Sequence, residues 1–391
     1  MRHSVFSFWT YIVFWCAYLL QGAIFSENTI LGQAILIVLV LWSLYHVFYI
    51  HFKCRLPSFI RILDILLFVF LVYGLILLMS GEIIINRNGV AVSNLSYSRN
   101  ILVSLLPIYS FFYYSSRGII SLKDIKICTV VLLFVAIVSF FQYQSKAIIN
   151  DEVGIGEITN NQAYLFLFLL PYLYLFNNKI IKYIGILSCC IFLFFSMKRG
   201  AIIIGALCLV FILFEIIKTS KSAGKLFTLL GSIVVVLVLY RITLFEYKTN
   251  PYFVFRVEQT LEGYSSGRDE LVDRLIDIYF HEYSYSQQLF GTGANSTIKY
   301  VSQYAHNDWL EILINQGLFG AALYLVFWIS LFICWRKINA PRDVIRAFGM
   351  LIMILFLKTF FSMSYSDVGF YGALLMGYGL SLSARSHEEA V

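Results

Sequence analysis

The sequence predicts an all-α polytopic integral membrane protein of about twelve transmembrane helices, with one large extracytoplasmic loop containing short amphipathic helices. Three observations predict it. The 391 residues are 60% hydrophobic and only 13% charged, more apolar surface than a soluble chain of that length hides. The apolar runs recur at about the 20-residue length needed to cross a hydrocarbon core. Aromatic residues make up 18%, with 36 Phe and 27 Tyr, as expected of helices that face lipid and end in interfacial belts. A net charge of +7 would by itself suggest nucleic acid, but in a membrane protein the placement of charge decides, and no nucleic-acid partner is expected.

Taken in order, Met1-Arg2-His3 leads into an apolar segment with no small-residue cleavage site after it, which reads as the first membrane helix. Spans follow near 5–24, 30–50, 59–80, 98–115, 124–144, 162–177, 180–197, 199–217, 226–244, 317–335, 344–363 and 368–385. Residues 1–391 form a single membrane domain on this reading, and 245–316 are a large periplasmic loop inserted between the ninth and tenth spans.

Lysine and arginine set the orientation. With the N-terminus in the cytoplasm, the inside connections carry 17 of the 29 basic residues, among them Lys53, Arg55 and Arg61, Lys218, Lys221 and Lys225, and Arg336, Lys337, Arg342 and Arg346. Both termini are then cytoplasmic and the long loop lies outside. Asp64, one helical turn from Arg61, is its expected ion-pair partner. Cations on the outward side, in or beside spans, are Arg99, Lys198, Arg199, Arg241 and Lys358. A cation at the bilayer centre costs roughly 2.5–3.5 kcal/mol on insertion scales, so it needs a partner, a wet cavity or a route to the interface. Snorkelling from a helix end accounts for Arg241 and, as one of two readings, for Lys358. Lys198-Arg199 fill a connection too short to be a loop, against the charge rule, and an anionic partner at the outer surface would explain them.

The long loop carries helices of its own. Ser266 with Asp269 three residues on reads as a capping box. Leu271, Val272, Leu275, Ile276 and Tyr279 then fall on one face, with Asp269, Asp273, Arg274 and Asp277 on the other, the pattern of a helix lying at the membrane surface. Phe290-Gly291-Thr292-Gly293 is a turn. Asn307-Asp308 starts a short helix with Asp308 and Glu311 at its positive end, and Gly317 breaks it before the tenth span.

Chemistry narrows to few groups. Of six histidines only His281 and His306 face outward. His281, between Phe280 and Glu282, suits interface filling. His306 is followed by Asn307, Asp308 and Glu311, so a carboxylate or amide is placed to orient its ring, although capping or packing would use the same residues. Arg268 opens a helix, where free N–H groups, the dipole and a guanidinium together make an anion site; a plain solvated arginine is the other reading. Seven cysteines lie in apolar runs or beside basic residues without metal-ligand spacing, and act as core filler. The first outer connection has only Glu27 and no Asp-x-Asp occurs, so no metal is expected and cations must neutralise an anionic leaving group; no other cofactor is expected.

Four phrases in order carry a resemblance: Met197-Lys198-Arg199-Gly200, Ser266-Gly267-Arg268, Phe290-Gly291-Thr292-Gly293, and His306-Asn307-Asp308-Trp309-Leu310-Glu311 running into Gln316-Gly317-Leu318-Phe319-Gly320. Over roughly 190–330 the chain resembles the bacterial O-antigen ligase and polymerase superfamily, most like the polymerase branch; earlier spans match only in hydropathy. The resemblance implies a metal-independent, inverting glycosyltransferase of the inner membrane that works on undecaprenyl-diphosphate-linked oligosaccharide at the outward face. It implies arginines matching Arg199 and Arg268 on the diphosphate and His306 as base. Lys198, Asn307, Asp308, Glu311 and Lys358 are supporting candidates. Membrane lipids are expected partners, and a chain-length regulator protein is a candidate one. Transfer of the glycan to lipopolysaccharide core by a ligase is the alternative within the family. Outside it the alternative is a transporter or flippase, which would be expected to show internal repeats and mid-membrane charges in both halves.

Overall fold

The computed structural model describes residues 2–21, 29–53, 56–151, 160–219, 222–249, 253–255, 257–258, 267–363, 365 and 371–388. The apolar runs fold as helices α1 (Arg2–Leu19), α2 (Ile30–Lys53), α3 (Ser58–Ser80), α4 (Asn94–Ser116), α5 (Leu122–Asp151), α6 (Ala163–Tyr174), α7 (Lys179–Phe195), α8 (Arg199–Thr219) and α9 (Ser222–Thr249). The loop helices are α10 (Arg268–Asp277), continued by a π-helical turn at Ile278–Glu282, α11 (Tyr285–Phe290) and α12 (Ser296–Val301). Helices α13 (Asp308–Arg336), α14 (Arg342–Phe361) and α15 (Ala373–Glu388) complete the chain. A two-residue antiparallel ladder, β1 (Ile84–Ile85) with β2 (Ala91–Val92), joins α3 to α4. The expected capping box at Ser266 lies outside the described residues.

Among the described residues six helical segments are long and apolar enough to cross a membrane: Ile30–Lys53, Ser58–Ser80, Leu122–Ser145, Arg199–Lys218, Asp308–Arg336 and Arg342–Phe361. These helices make the chain an all-α membrane protein. Helix α4 is missing from that set for a physical reason. It is buried along most of its length, including Ser104, Ser110 and Ser115, and packs against α2, α3 and α15. A helix surrounded by helices does not need the hydropathy of one surrounded by lipid. Its serines serve as polar contacts: Ser110 Oγ lies 3.0 Å from His46 Nδ1 and donates to Ser43 Oγ at 3.1 Å, and Ser43 meets Tyr11 at 2.9 Å.

The chain divides into two compact units, residues 1–135 with 268–391, and residues 136–267. In the first, charged connections gather at two ends. At one, the bidentate pair Lys299–Glu82 (3.0 Å to each oxygen) and the Arg87 N–H to Ser302 C=O bond (2.7 Å) tie the α3–α4 hairpin to α12 of the long loop. At the other, Asp64 accepts from Tyr109 (2.7 Å) and His51 (2.9 Å). Arg61 is not its partner, contrary to the one-turn spacing, because a tyrosine and a histidine from packed neighbours reach the carboxylate first. The six described cysteines are free and buried, as core filler should be.

The second unit is held by apolar contacts among α5, α6, α7 and α8. Phe166 and Phe192 stack at 4.5 Å with Phe140 edge-on to both, and Leu173 fills the space beside Gly185. Asn178 caps α7 by accepting from the Ile180 and Ile181 N–H groups.

Candidate active site

In the first unit the loop helices form a small core of their own. Leu271, Leu275, Ile278 and Tyr279 bury against Ala305, Leu310 and Ile314 of the α13 side. The apolar face of α10 therefore packs on protein, whereas its period alone suggested a membrane surface; Ile276 is the member of that face left exposed. Periodicity tells which face is apolar and not what covers it. One consequence is that Arg268, first residue of α10, and the turn bearing His306 are anchored in the same core.

That turn is specified locally. Asn307 caps α13, its Oδ1 accepting from the N–H groups of Trp309 (3.0 Å) and Leu310 (3.2 Å). His306 adopts φ 53°, in the left-handed region that costs an L-residue about 1–2 kcal/mol. The helix then runs to Gly317, whose φ of 69° and ψ of −165° interrupt it as the sequence predicts. The break frees carbonyls, and each finds a donor: Ile314 O accepts from Thr292 N (3.4 Å) and Tyr283 Oη (3.3 Å), and Asn315 O from Gly293 N (3.0 Å). The glycine turn at 290–293 is thus the cap of the broken helix.

Several expected site residues converge on the C-terminal end of α14. Arg268 Nη1 donates to Phe361 O at 3.4 Å. Trp309 Nε1 donates to Thr359 Oγ1 at 3.0 Å. Asp308 accepts from the Tyr324 hydroxyl (2.7 Å) and from Tyr365 N (3.1 Å), in the segment following α14. Lys358 is fully buried and donates to Met363 O at 2.5 Å, closing the end of its own helix. Glu311 is buried as well and accepts from Thr297 Oγ1 (2.5 Å), Asn315 Nδ2 (3.0 Å) and Ala305 N (2.9 Å). Asp308, Glu311 and Lys358 are thus buried and hydrogen-bonded, while His306 and Arg268 stay partly exposed and reachable. His281, the other outward histidine, is exposed and 2.9 Å from Asp277 on the surface of its helix.

Sequence reasoning passed over the tyrosines around these residues. Tyr97 Oη accepts from Gln316 Nε2 at 2.8 Å. Burial, with the Glu311 carboxylate nearby, pushes Tyr304 up to about 12, so it stays a neutral hydroxyl at physiological pH. In a chain with 27 tyrosines nothing in the pattern singles these out.

In the second unit Arg199 is the first residue of α8, entered through a tight turn. Asn160 N donates to Ser196 O (2.9 Å), Met197 has φ 56°, and Lys198 supplies the carbonyl that accepts from Ile202 N (3.0 Å). Both arginines therefore open helices, where backbone N–H groups and the dipole favour an anion.

These features define a helical membrane protein with a polar, partly exposed cluster where its loop helices meet the end of a long apolar helix. The family model for O-Antigen ligase matches residues 184–325, a stretch that holds Lys198, Arg199, Arg268, His306 and the broken helix, and over that stretch the chain is similar to the family. Members of that family are membrane glycosyltransferase-like enzymes that act on lipid-linked oligosaccharides. No curated protein matches the chain.

Proposed function

We propose that the protein is an O-antigen polymerase of the bacterial inner membrane that joins undecaprenyl-diphosphate-linked repeat units on the periplasmic face, without a metal and with inversion. The observation that carries the reading is the shared core beneath Arg268 and His306, which holds a guanidinium and an imidazole on one rigid support while leaving both accessible. Arg268 binds the diphosphate of the growing chain; the family resemblance gives Arg199 a diphosphate-binding role as well, with Lys198 in support. His306 takes the proton from an acceptor sugar hydroxyl, whose oxygen bonds to the anomeric carbon from the face opposite the diphosphate. The carbon–oxygen bond to the diphosphate breaks, and the lipid diphosphate leaves with the electron pair. The activated bond supplies the driving force, so no nucleotide is used. Both termini lie in the cytoplasm, all twelve apolar stretches cross the membrane, and a chain-length regulator is a candidate partner.

The match to a family described as O-Antigen ligase supports a second reading, transfer of the finished glycan to lipopolysaccharide core. A deletion strain separates the two: loss of a polymerase leaves core plus one repeat, and loss of a ligase leaves bare core. The chemistry is tested in vitro with purified lipid-linked repeat units and a chelator present. The unaltered protein should extend chains and the His306→Ala form should not, and long chains made by that variant would remove His306 from the reaction.

A further inference from the structure

The residue before His306 is held by a buried carboxylate six residues further on, that of Glu311. Glu311 is fully buried, and three hydrogen-bond donors end on its side chain. Its Oε1 accepts from Thr297 of α12 and from Asn315 of α13, and its Oε2 accepts from the N–H of Ala305, the residue before His306. Ala305 is itself buried in the core shared with α10. The left-handed conformation of His306 persists only if its surroundings over-determine it. They do so from both sides: Glu311 holds the backbone before it and the Asn307 side chain holds the backbone after it. Spacing suggests a carboxylate or amide to orient the imidazole; the hydrogen bonds of Glu311 come from Thr297, Asn315 and the Ala305 N–H.

We infer that Glu311 is a positioning residue, which sets the imidazole of His306 by clamping the Ala305 N–H and so fixes it relative to Arg268. The inference rests on the role proposed for His306. Three donors converge on the carboxylate, and an amide in its place offers a single acceptor oxygen, so Glu311→Gln loosens the clamp with little change in volume.

The test uses the full-length protein in lipid nanodiscs with lipid-linked repeat units as substrate. Initial rates are combined with hydrogen–deuterium exchange of peptides covering 303–308 and 318–330. Glu311→Gln should lower kcat by about tenfold or more with KM within about twofold, the split expected of lost positioning. Exchange should quicken over 303–308 and stay unchanged over 318–330. Thr297→Val removes a donor on the α12 side and spares the Ala305 bond; it should keep kcat within about threefold and leave exchange at 303–308 as in the unaltered protein. Unaltered kcat or exchange in Glu311→Gln overturns the inference, as does an equal loss of kcat in Thr297→Val. Should Glu311→Gln not accumulate in the membrane, Glu311→Asp, which keeps the carboxyl group and shortens its reach, must show the same selective exchange and the same fall in kcat. A His306→Ala form that still extends chains refutes the proposed reaction, whereas a His306-dependent enzyme indifferent to Glu311→Gln refutes only the clamp.

Discussion

Gly291 and Gly317, 26 positions apart in the chain, meet backbone to backbone. A Cβ on Gly317 would lie 2.5 Å from Gly291 N, and one on Gly291 would lie 2.2 Å from Asn315 O. Both have positive φ, 73° and 69°. No side chain fits at either position without moving the main chain, so the glycine turn and the helix break specify each other.

Gly317→Ala should therefore cost far more than the strain of a left-handed alanine. Gly81 is the control, with φ 65° and open space around its Cβ position. Gly81→Ala should cost about 1 kcal/mol, and Gly317→Ala at least about twice that, because backbone rather than a flexible side chain must yield. Thermal unfolding in detergent measures both; equal Tm values for the two variants would contradict the close approach.

Arginine at 268 is expected to resist replacement by lysine. Its guanidinium reaches Phe361 O at 3.4 Å and keeps further N–H groups for phosphate oxygens, which an ammonium cannot offer in a fixed plane. A lost charge-assisted hydrogen bond is worth about 1.5–3 kcal/mol, so kcat/KM should fall roughly ten- to a hundredfold in Arg268→Lys. Full activity with lysine would reduce the requirement to charge alone.

The Trp309–Thr359 hydrogen bond links the helix after His306 to the helix that Arg268 touches. Trp309→Phe and Thr359→Val should each lower stability by about 0.5–1.5 kcal/mol, and the double variant should lose less than the sum. Strict additivity in Tm-derived free energies would mean that the pair is not coupled.

Lys299 and Glu82 are exposed, and breaking the pair should change stability by less than about 1 kcal/mol. Their value is topological. Cysteines introduced singly at 82 and 299 should both be blocked by a membrane-impermeant thiol reagent applied from outside. Protection of one but not the other would contradict the placement of the α3–α4 hairpin beside the long loop.

The local features of this site were legible in the sequence. The helix start at Asn307-Asp308, Gly317 as break and the glycine turn at 290–293 each follow from local conformational preferences, and all three stand where expected. What escaped is whatever depends on a distant partner. Glu311 finds donors at Thr297 and Ala305, Asp64 takes Tyr109 and His51 over the nearer Arg61, and α10 turns its apolar face to α13. The meeting of Arg268, Trp309 and Lys358 at the end of α14 joins positions up to 90 apart, and no periodicity encodes it.

Helix α4 carries one more implication, for biogenesis. Its stretch from Phe112 to Ser115 is covered by α15, where a Cβ on Gly377 would lie 2.5 Å from Phe112 N, Ser115 meets Ser381, and Arg385 donates to the Ser115 carbonyl. During synthesis α4 emerges more than two hundred residues ahead of that cover. A chain cut short before Ala373 would therefore leave Phe112 and Ser115 of α4 without the helix that covers them.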